Sequence, residues 1–346
     1  MSQLERLLAP YVEAVEAEMR RWVPPAEGPH RMLYGMVRYH LGWADEHFRP
    51  CAATRGKRVR SALCLMAGEA VGGDVACVVP AAAAVELLHE FSLIHDDIED
   101  GDRERRGRPT LWALWGLPQA INAGDALFAL AFLALNGLLE RGVPPARAAE
   151  TQRRFARTVI RLCEGQHLDL DFERRDDIAP EDYLLMVEGK TAALIALAAE
   201  LGGLVAGATA DLVEALARFG RALGLAFQMQ DDLLGLWGDP ERTGKPAGND
   251  LRRRKKSLPV LLARRISDQA AEALDALFKA DPIPDEMVTR TLQLMERVGA
   301  RREAEARVRE SYRAAMQALD ELEAALPAER IAPLRHLTEE LMGREY

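Results

Sequence analysis

At 346 residues, the chain can bury a large core without staples, and its four cysteines show no paired spacing suggestive of structural zinc. A formal net charge of −9 argues against a general polyanion-binding surface, although a local basic patch can still hold a small anion. Apolar residues make up 49% of the chain but aromatics only 6%, and Ala and Leu abound, which favours packed helices over a β-sandwich.

Apolar residues recur at three- and four-residue spacings over about 4–22, 31–46, 57–71, 79–99, 119–139, 146–173, 181–206 and 209–236. The same period continues over about 258–280, 285–297, 301–322 and 328–342, while strand alternation is scarce. The prediction is an all-α fold in a single domain over 1–346, with an N-terminal helix inside 1–25 and helices within 282–346 continuing the bundle. Breaks near 24–25, 72–74, 101–109, 142–145, 238–250 and 282–284 carry Gly or Pro, and none resembles a long linker. The N-terminal segment has no signal-peptide apolar block. Ala126–Leu135 is strongly apolar but has ten residues, against the roughly 20 a helix needs to cross a bilayer. A cytoplasmic protein without stable membrane insertion is expected, with Cys51, Cys64, Cys77 and Cys163 as buried or partly buried thiols.

In chain order, the first chemical signal is RGKRVR, which supplies Gly56, Lys57, Arg58 and Arg60. It reads as a helix start, a nucleic-acid patch or an anion site, and its shortness and the acidic balance of the chain weigh against nucleic acid. VELLHEFSLIHDDIED follows, with Asp96 and Asp100 four residues apart and Asp97 and Asp100 three apart. On a continuing helix these carboxylates cluster and repel unless a cation or solvent compensates. Mg²⁺ suits oxygen ligands of this kind shared with a diphosphate. Arg105 and Arg106 come next, as forked donors for diphosphate oxygens. A second acidic pair, Asp231 and Asp232 in AFQMQDDLLGLWGDP, ends another long apolar segment, where antiparallel helices would bring it opposite the first.

The ordered series RGKRVR, LLHEFSLIHDDIEDGDRERRGRPT, NAGDALF, LCEGQHLDL, VEGKTAAL, AFQMQDDLLGLWGDPERTGKPAGND and LRRRKKSLP resembles the trans-type polyprenyl synthetase family, the isoprenyl diphosphate synthases. The resemblance spans about residues 55–259. It implies an isoprenoid-synthase-type helical bundle around a central active-site cavity and a prenyltransferase that joins isopentenyl diphosphate to an allylic diphosphate. By that resemblance Asp96, Asp97, Asp100 and Asp231 hold Mg²⁺, about three ions in the closed complex. Arg105 contacts the allylic diphosphate. Gly56, Lys57, Arg60, His89 and Arg106 form the isopentenyl diphosphate site, while Lys190, Thr191, Gln228, Lys245 and Lys255 surround the allylic leaving group. Gln166 and Asp169 read equally as anchors between helices, and Asp125 as a supporting residue. The resemblance also implies a homodimer.

One departure stands out. The family's second acidic motif commonly has a third Asp where this chain has Gly235, and Asp239, eight residues past Asp231, reads as a supporting group. Product length is expected to depend on Phe91, Leu88 and Ser92, which precede Asp96 by five, eight and four residues. By resemblance an aromatic at the five-before position favours a medium-chain product, geranylgeranyl diphosphate above farnesyl diphosphate. A terpene cyclase on the same scaffold and a non-catalytic synthase-like subunit are the competing readings.

Overall fold

The computed structural model describes residues 3–53, 56–239 and 246–343, and it is helical almost throughout. The helices are α1 (Gln3–Trp22), α2 (Arg31–His40), α3 (Val59–Ala70), α4 (Val75–Glu99), α5 (Leu111–Trp115), α6 (Leu117–Ala134), α7 (Gly137–Glu140) and α8 (Pro145–Arg174). After α9 (Pro180–Val187), a π-helical turn at Glu188–Ala192 leads into α10 (Ala193–Ala206), followed by α11 (Ala210–Trp237). The remainder are α12 (Asn249–Arg252), α13 (Leu258–Ile266), α14 (Asp268–Lys279), α15 (Asp285–Arg297), α16 (Ala300–Glu323) and α17 (Ala328–Met342).

The chain divides into two compact units. The first comprises Met1–Phe155, Ala198–Glu214 and Ala328–Pro333, and the second Ala156–Leu197, Ala215–Pro327 and Leu334–Tyr346. In the first unit α4 packs against α1, α3 and α6, and from Val78 to Leu88 nearly every side chain is inaccessible to solvent. In the second, α13 packs against α9, α14 and α16, with Leu233, Leu251, Leu262, Leu274 and Met295 at the centre of the core.

Several boundaries moved for local reasons. Helix α4 begins four residues earlier than its apolar pattern suggests, because the Asp74 carboxylate accepts from the Ala76 N–H at 2.9 Å and caps the helix. The helix expected over 258–280 is two helices, since Ser267 caps α14 through the Ala270 N–H. The stretch 181–206 is helical as expected, but the π turn interrupts its register. Within the expected break at 101–109 lies an antiparallel two-stranded ladder, β1 (Glu104–Arg105) and β2 (Arg108–Pro109). Arg106 and Gly107 at its tip both have positive φ, as a two-residue primed hairpin turn requires.

The apolar segment at 126–135 belongs to a longer run, Leu117–Glu140, whose most apolar window is 50% buried; Val75–Glu99 is comparably apolar and 72% buried. Both are long and apolar enough to cross a bilayer, and the heavy burial of α4 is that of a core helix. The thiols also differ from expectation: Cys64 is buried and Cys77 half-buried, but Cys51 and Cys163 are exposed.

Candidate active site

The first unit gathers Arg58, Arg106 and His40 around one carboxylate. Glu86 and Glu90 lie a helical turn apart on α4, and Glu90 is fully buried. Arg58, equally buried, bonds Glu90, donates Nη1 to Glu86 at 3.1 Å and Nε to Glu16 at 3.0 Å. Arg106 donates to Glu90 Oε1 at 3.2 Å through both Nη atoms, and His40 Nε2 lies 2.9 Å from Oε2. Burial alone would push the Glu90 pKa up, yet Arg58, with His40 and Arg106, holds it well below the carboxylate range. Arg58 and Arg106 both sit in the left-handed region, at φ 57° and 56°, which costs a non-glycine residue roughly 1–2 kcal/mol. A charged hydrogen bond contributes a comparable 1.5–3 kcal/mol, so the shared carboxylate can hold both backbones in place.

Gly56 belongs to the same cluster, because a Cβ there would come 2.7 Å from Arg106 Nη2. Arg60 Nη1 lies 3.1 Å from His89 Nε2. A guanidinium only donates, so Nε2 must be the acceptor and the imidazole proton sits on Nδ1. Burial, reinforced by Arg60, keeps the His89 pKa well below its ordinary value and the ring neutral. Lys57 is exposed. Of the predicted group, Gly56 and Arg106 lie side by side, and Arg60 and His89 pair directly. Glu90 and the structural use of Arg58 escaped the sequence reading, although two Glu residues four apart in an apolar helix signal a buried cation.

The acidic segment follows on α4, which stays helical to Glu99, with the Asp100 N–H donating to the Asp96 carbonyl at 2.8 Å. Asp96 and Asp100 therefore share a face, Asp96 half-buried and Asp100 exposed. Asp97 is 2% exposed and accepts from Arg105 Nε at 2.6 Å, an ion pair delivered by the β1–β2 hairpin. Burial raises the Asp97 pKa, and Arg105 only partly opposes it. Upstream, Phe91 stacks on His95 at 4.6 Å and on Phe128 at 5.0 Å, and the aromatic row continues through Phe132 to Phe155. Leu88 is fully buried, and the Ser92 hydroxyl donates to the His89 carbonyl at 2.8 Å. His95 Nε2 stands 3.7 Å from the exposed Asp125.

In the second unit, two glycines set the backbone around Lys190. A Cβ on Gly165 would strike the Lys190 backbone, and one on Gly189 would lie 2.9 Å from Gly165 Cα. This close approach of α8 and the π turn lets Lys190 Nζ reach Asp169 at 2.5 Å. π turns recur at functional sites because the extra residue re-aims side chains. Thr191, in the same turn, donates to Gln228 Oε1 at 3.0 Å, and Gln228 Nε2 donates to Asp232 at 3.3 Å.

Asp232 is 1% exposed and also accepts from the Tyr183 hydroxyl, from Lys255 Nζ at 2.9 Å and from the Leu258 N–H at 3.3 Å. Burial first, then Asp232, pushes the Tyr183 phenol well above its usual pKa, so it remains a donor. Desolvation works to lower the Lys255 pKa, but Asp232 and Asp250 outweigh it and keep the ammonium charged. Asp231, one residue away, is half-buried, and Asp239 is exposed. Lys245 lies outside the described residues. Among the described residues no group of three or more His, Cys, Asp or Glu is already drawn together as a metal site. Tyr183 carried no sequence signal, being one residue in an ordinary helical stretch.

A helical fold with two acidic helix segments, each accompanied by arginines or lysines, describes an enzyme that handles diphosphates. The model of the polyprenyl synthetase family matches residues 42–295. A geranylgeranyl diphosphate synthase of Mycobacterium tuberculosis is 48% identical over 254 residues, covering 73% of this chain and 71% of that protein. A (2E,6E)-farnesyl diphosphate synthase of Mycobacterium bovis is 43% identical over 322 residues, covering 92% and 87%. The polyprenyl synthetase structure from Streptomyces coelicolor A3(2) aligns with TM-score 0.89 at 37% identity, covering 98% of this chain and 99% of that one. The chain belongs to the polyprenyl synthetase family, and it is a prenyltransferase of the isoprenoid-synthase fold.

Proposed function

We propose that the protein condenses isopentenyl diphosphate head-to-tail with an allylic diphosphate, releasing diphosphate and a medium-chain trans-prenyl diphosphate, geranylgeranyl diphosphate being favoured. The observation that carries this reading is the pairing of expected residues, Gly56 beside Arg106 and Arg60 on His89, with neutral His89 and buried Glu90. A cyclase ionises one allylic diphosphate and folds its chain onto itself. It would not need this second diphosphate site.

In this scheme the two diphosphates have separate partners. Arg60, Lys57 and Arg106 hold the diphosphate of the homoallylic substrate, with Arg106 fixed by Glu90 and Arg60 by the imidazole. Arg105, Lys190, Thr191, Lys255 and Lys245 stabilise the negative charge that develops on the allylic leaving group. The double bond of isopentenyl diphosphate then attacks the cationic allylic carbon, and the departing diphosphate takes the proton.

The donor set suits magnesium: Asp96 and Asp100 share a helical face, and Asp231 offers an oxygen on α11. A bound Mg²⁺ would supply Lewis-acid stabilisation of the leaving diphosphate. Phe91, in its aromatic row, is the proposed floor for the growing chain, with the buried Leu88 and the small Ser92 near it in sequence on α4. The relatives named for C15 and C20 products leave this length to the residues themselves. We further propose that both units form one polyprenyl synthetase domain, that the protein works as a homodimer in the cytoplasm, and that it does not insert stably into membranes.

The deciding assay incubates purified protein and Mg²⁺ with an allylic diphosphate, with and without isopentenyl diphosphate, followed by product chromatography. A linear C20 diphosphate formed only with both substrates is expected. Cyclised hydrocarbon from the allylic substrate alone, or activity only after a second subunit is added, would overturn the reading.

A further inference from the structure

The β1–β2 hairpin carries both arginines assigned to the diphosphates, Arg105 on its first strand and Arg106 at its tip. A two-stranded ribbon is marginal by itself, so what it rests on decides where those guanidiniums stand. Arg105 reaches Asp97 and Arg106 reaches Glu90, both on α4. A diphosphate competes for the same forked donors, so both ties weaken as substrate binds.

Arg108 stands opposite Arg105 in the ladder, where directly opposed residues share one face. Its guanidinium turns to backbone oxygens: Nη1 donates to the Tyr39 carbonyl at 3.0 Å and Nη2 to the Ala44 carbonyl at 2.8 Å. The Tyr39 carbonyl belongs to the last turn of α2, where helix carbonyls lack intrahelical partners and favour a cation. The guanidinium also lies over the Tyr39 ring, 3.8 Å from its centroid. Tyr39 returns the contact, its hydroxyl donating to the Pro109 carbonyl at 2.9 Å. The ring is a firm support, since Tyr39 is 4% exposed and Trp115 packs against it edge-on at 5.1 Å. At the base of the hairpin the Thr110 N–H donates to the Arg103 carbonyl at 3.0 Å, so the ribbon moves as one piece with Arg108.

We infer, resting on the function proposed above, that Arg108 is a positioning residue for both diphosphate sites: it clamps the hairpin to the end of α2 so that Arg105 and Arg106 keep their aim. A single side chain, bound to backbone and a ring, thereby serves two substrates. Glu90 differs, because it holds Arg106 while Arg105 pairs with Asp97. Lysine is a poor substitute at 108, since one ammonium lacks the planar fork that spans two carbonyls.

Initial rates of the purified enzyme with Mg²⁺ would be measured while each diphosphate is varied against a saturating level of the other. Arg108→Met keeps the stem and removes the fork; it is expected to lower kcat/KM about tenfold to a hundredfold for both substrates, with both KM values rising. Arg108→Lys should fall between it and the wild type. Tyr39→Phe removes only the Pro109 tie and should raise both KM values to a smaller extent. Glu90→Gln is the comparator, raising the KM for isopentenyl diphosphate alone. Loss of folded enzyme by itself would lower kcat and leave both KM values in place. Hydrogen exchange without substrate should show residues 103–110 exchanging about tenfold faster in Arg108→Met, with residues 78–88 of α4 unchanged. A wild-type KM for either substrate in Arg108→Met, or unchanged exchange at 103–110, would overturn the inference and leave the proposed function standing. Should Arg108→Met not fold, wild-type KM values in both Arg108→Lys and Tyr39→Phe would do the same. A wild-type enzyme that couples no isopentenyl diphosphate would instead overturn both.

Discussion

Replacing Glu90 by Gln removes one charge and little volume from a cluster in which two guanidiniums, Arg58 and Arg106, meet three carboxylates, Glu16, Glu86 and Glu90. Breaking a buried ion pair costs about 3–5 kcal/mol. The lower end applies, since Arg58 keeps Glu86 at 3.1 Å and Glu16 at 3.0 Å. A loss of about 3 kcal/mol corresponds to a Tm lower by roughly 6–12 °C for a protein unit of this size. The effect carries a pH signature. Because the folded Glu90 pKa is depressed, its contribution is fully present above the unfolded value, about 4.3, and disappears as the pH falls through the folded value. The melting curves of wild type and variant should therefore converge in acid. In steady-state kinetics, release of Arg106 should raise the KM for isopentenyl diphosphate and leave that for the allylic substrate nearly unchanged. A Tm shift under 2 °C at pH 7, or equal changes in both KM values, would refute the reasoning.

Three further outcomes follow from the geometry. His89 has a depressed folded pKa, so the unfolded chain takes up the proton first; its contribution is present above about pH 6.5 and lost below, by up to about 1.4 kcal/mol per pH unit. His89→Gln should flatten the stability profile between pH 6.5 and 5 in denaturant titrations, and an unchanged slope would count against a neutral buried imidazole. Tyr183→Phe deletes a donor to the buried Asp232 and should cost about 1.5–3 kcal/mol in urea unfolding. Phe91→Ala should lengthen the product by at least one isoprene unit, and adding Phe128→Ala should extend it further; chromatography of the dephosphorylated products reads this directly.

The helices were legible because burial on a helix leaves a three- to four-residue apolar period, and α8 and α11 appear within a residue or so of where that period places them. Local polar chemistry moved other ends: Asp74 and Ser267 redirect the backbone with one hydrogen bond each, which an apolar pattern does not register. The acidic pairs, the basic residues beside them and the Gly235 departure were equally visible, because each is a property of residue type and spacing.

Sequence by itself determined the helical class, the family and the inventory of charged groups. Tertiary structure decided what each charge does. Asp96 and Asp97 are neighbours in sequence, but a helix turns about 100° per residue, so Asp97 is buried against Arg105 and Asp96 is not. Arg58 and Arg60 likewise separate, one into the buried Glu16, Glu86 and Glu90 cluster and the other to His89. A Cβ on Gly235 would meet the Asp250 side chain, fifteen residues later, because loop closure sets spatial neighbours that sequence spacing does not encode.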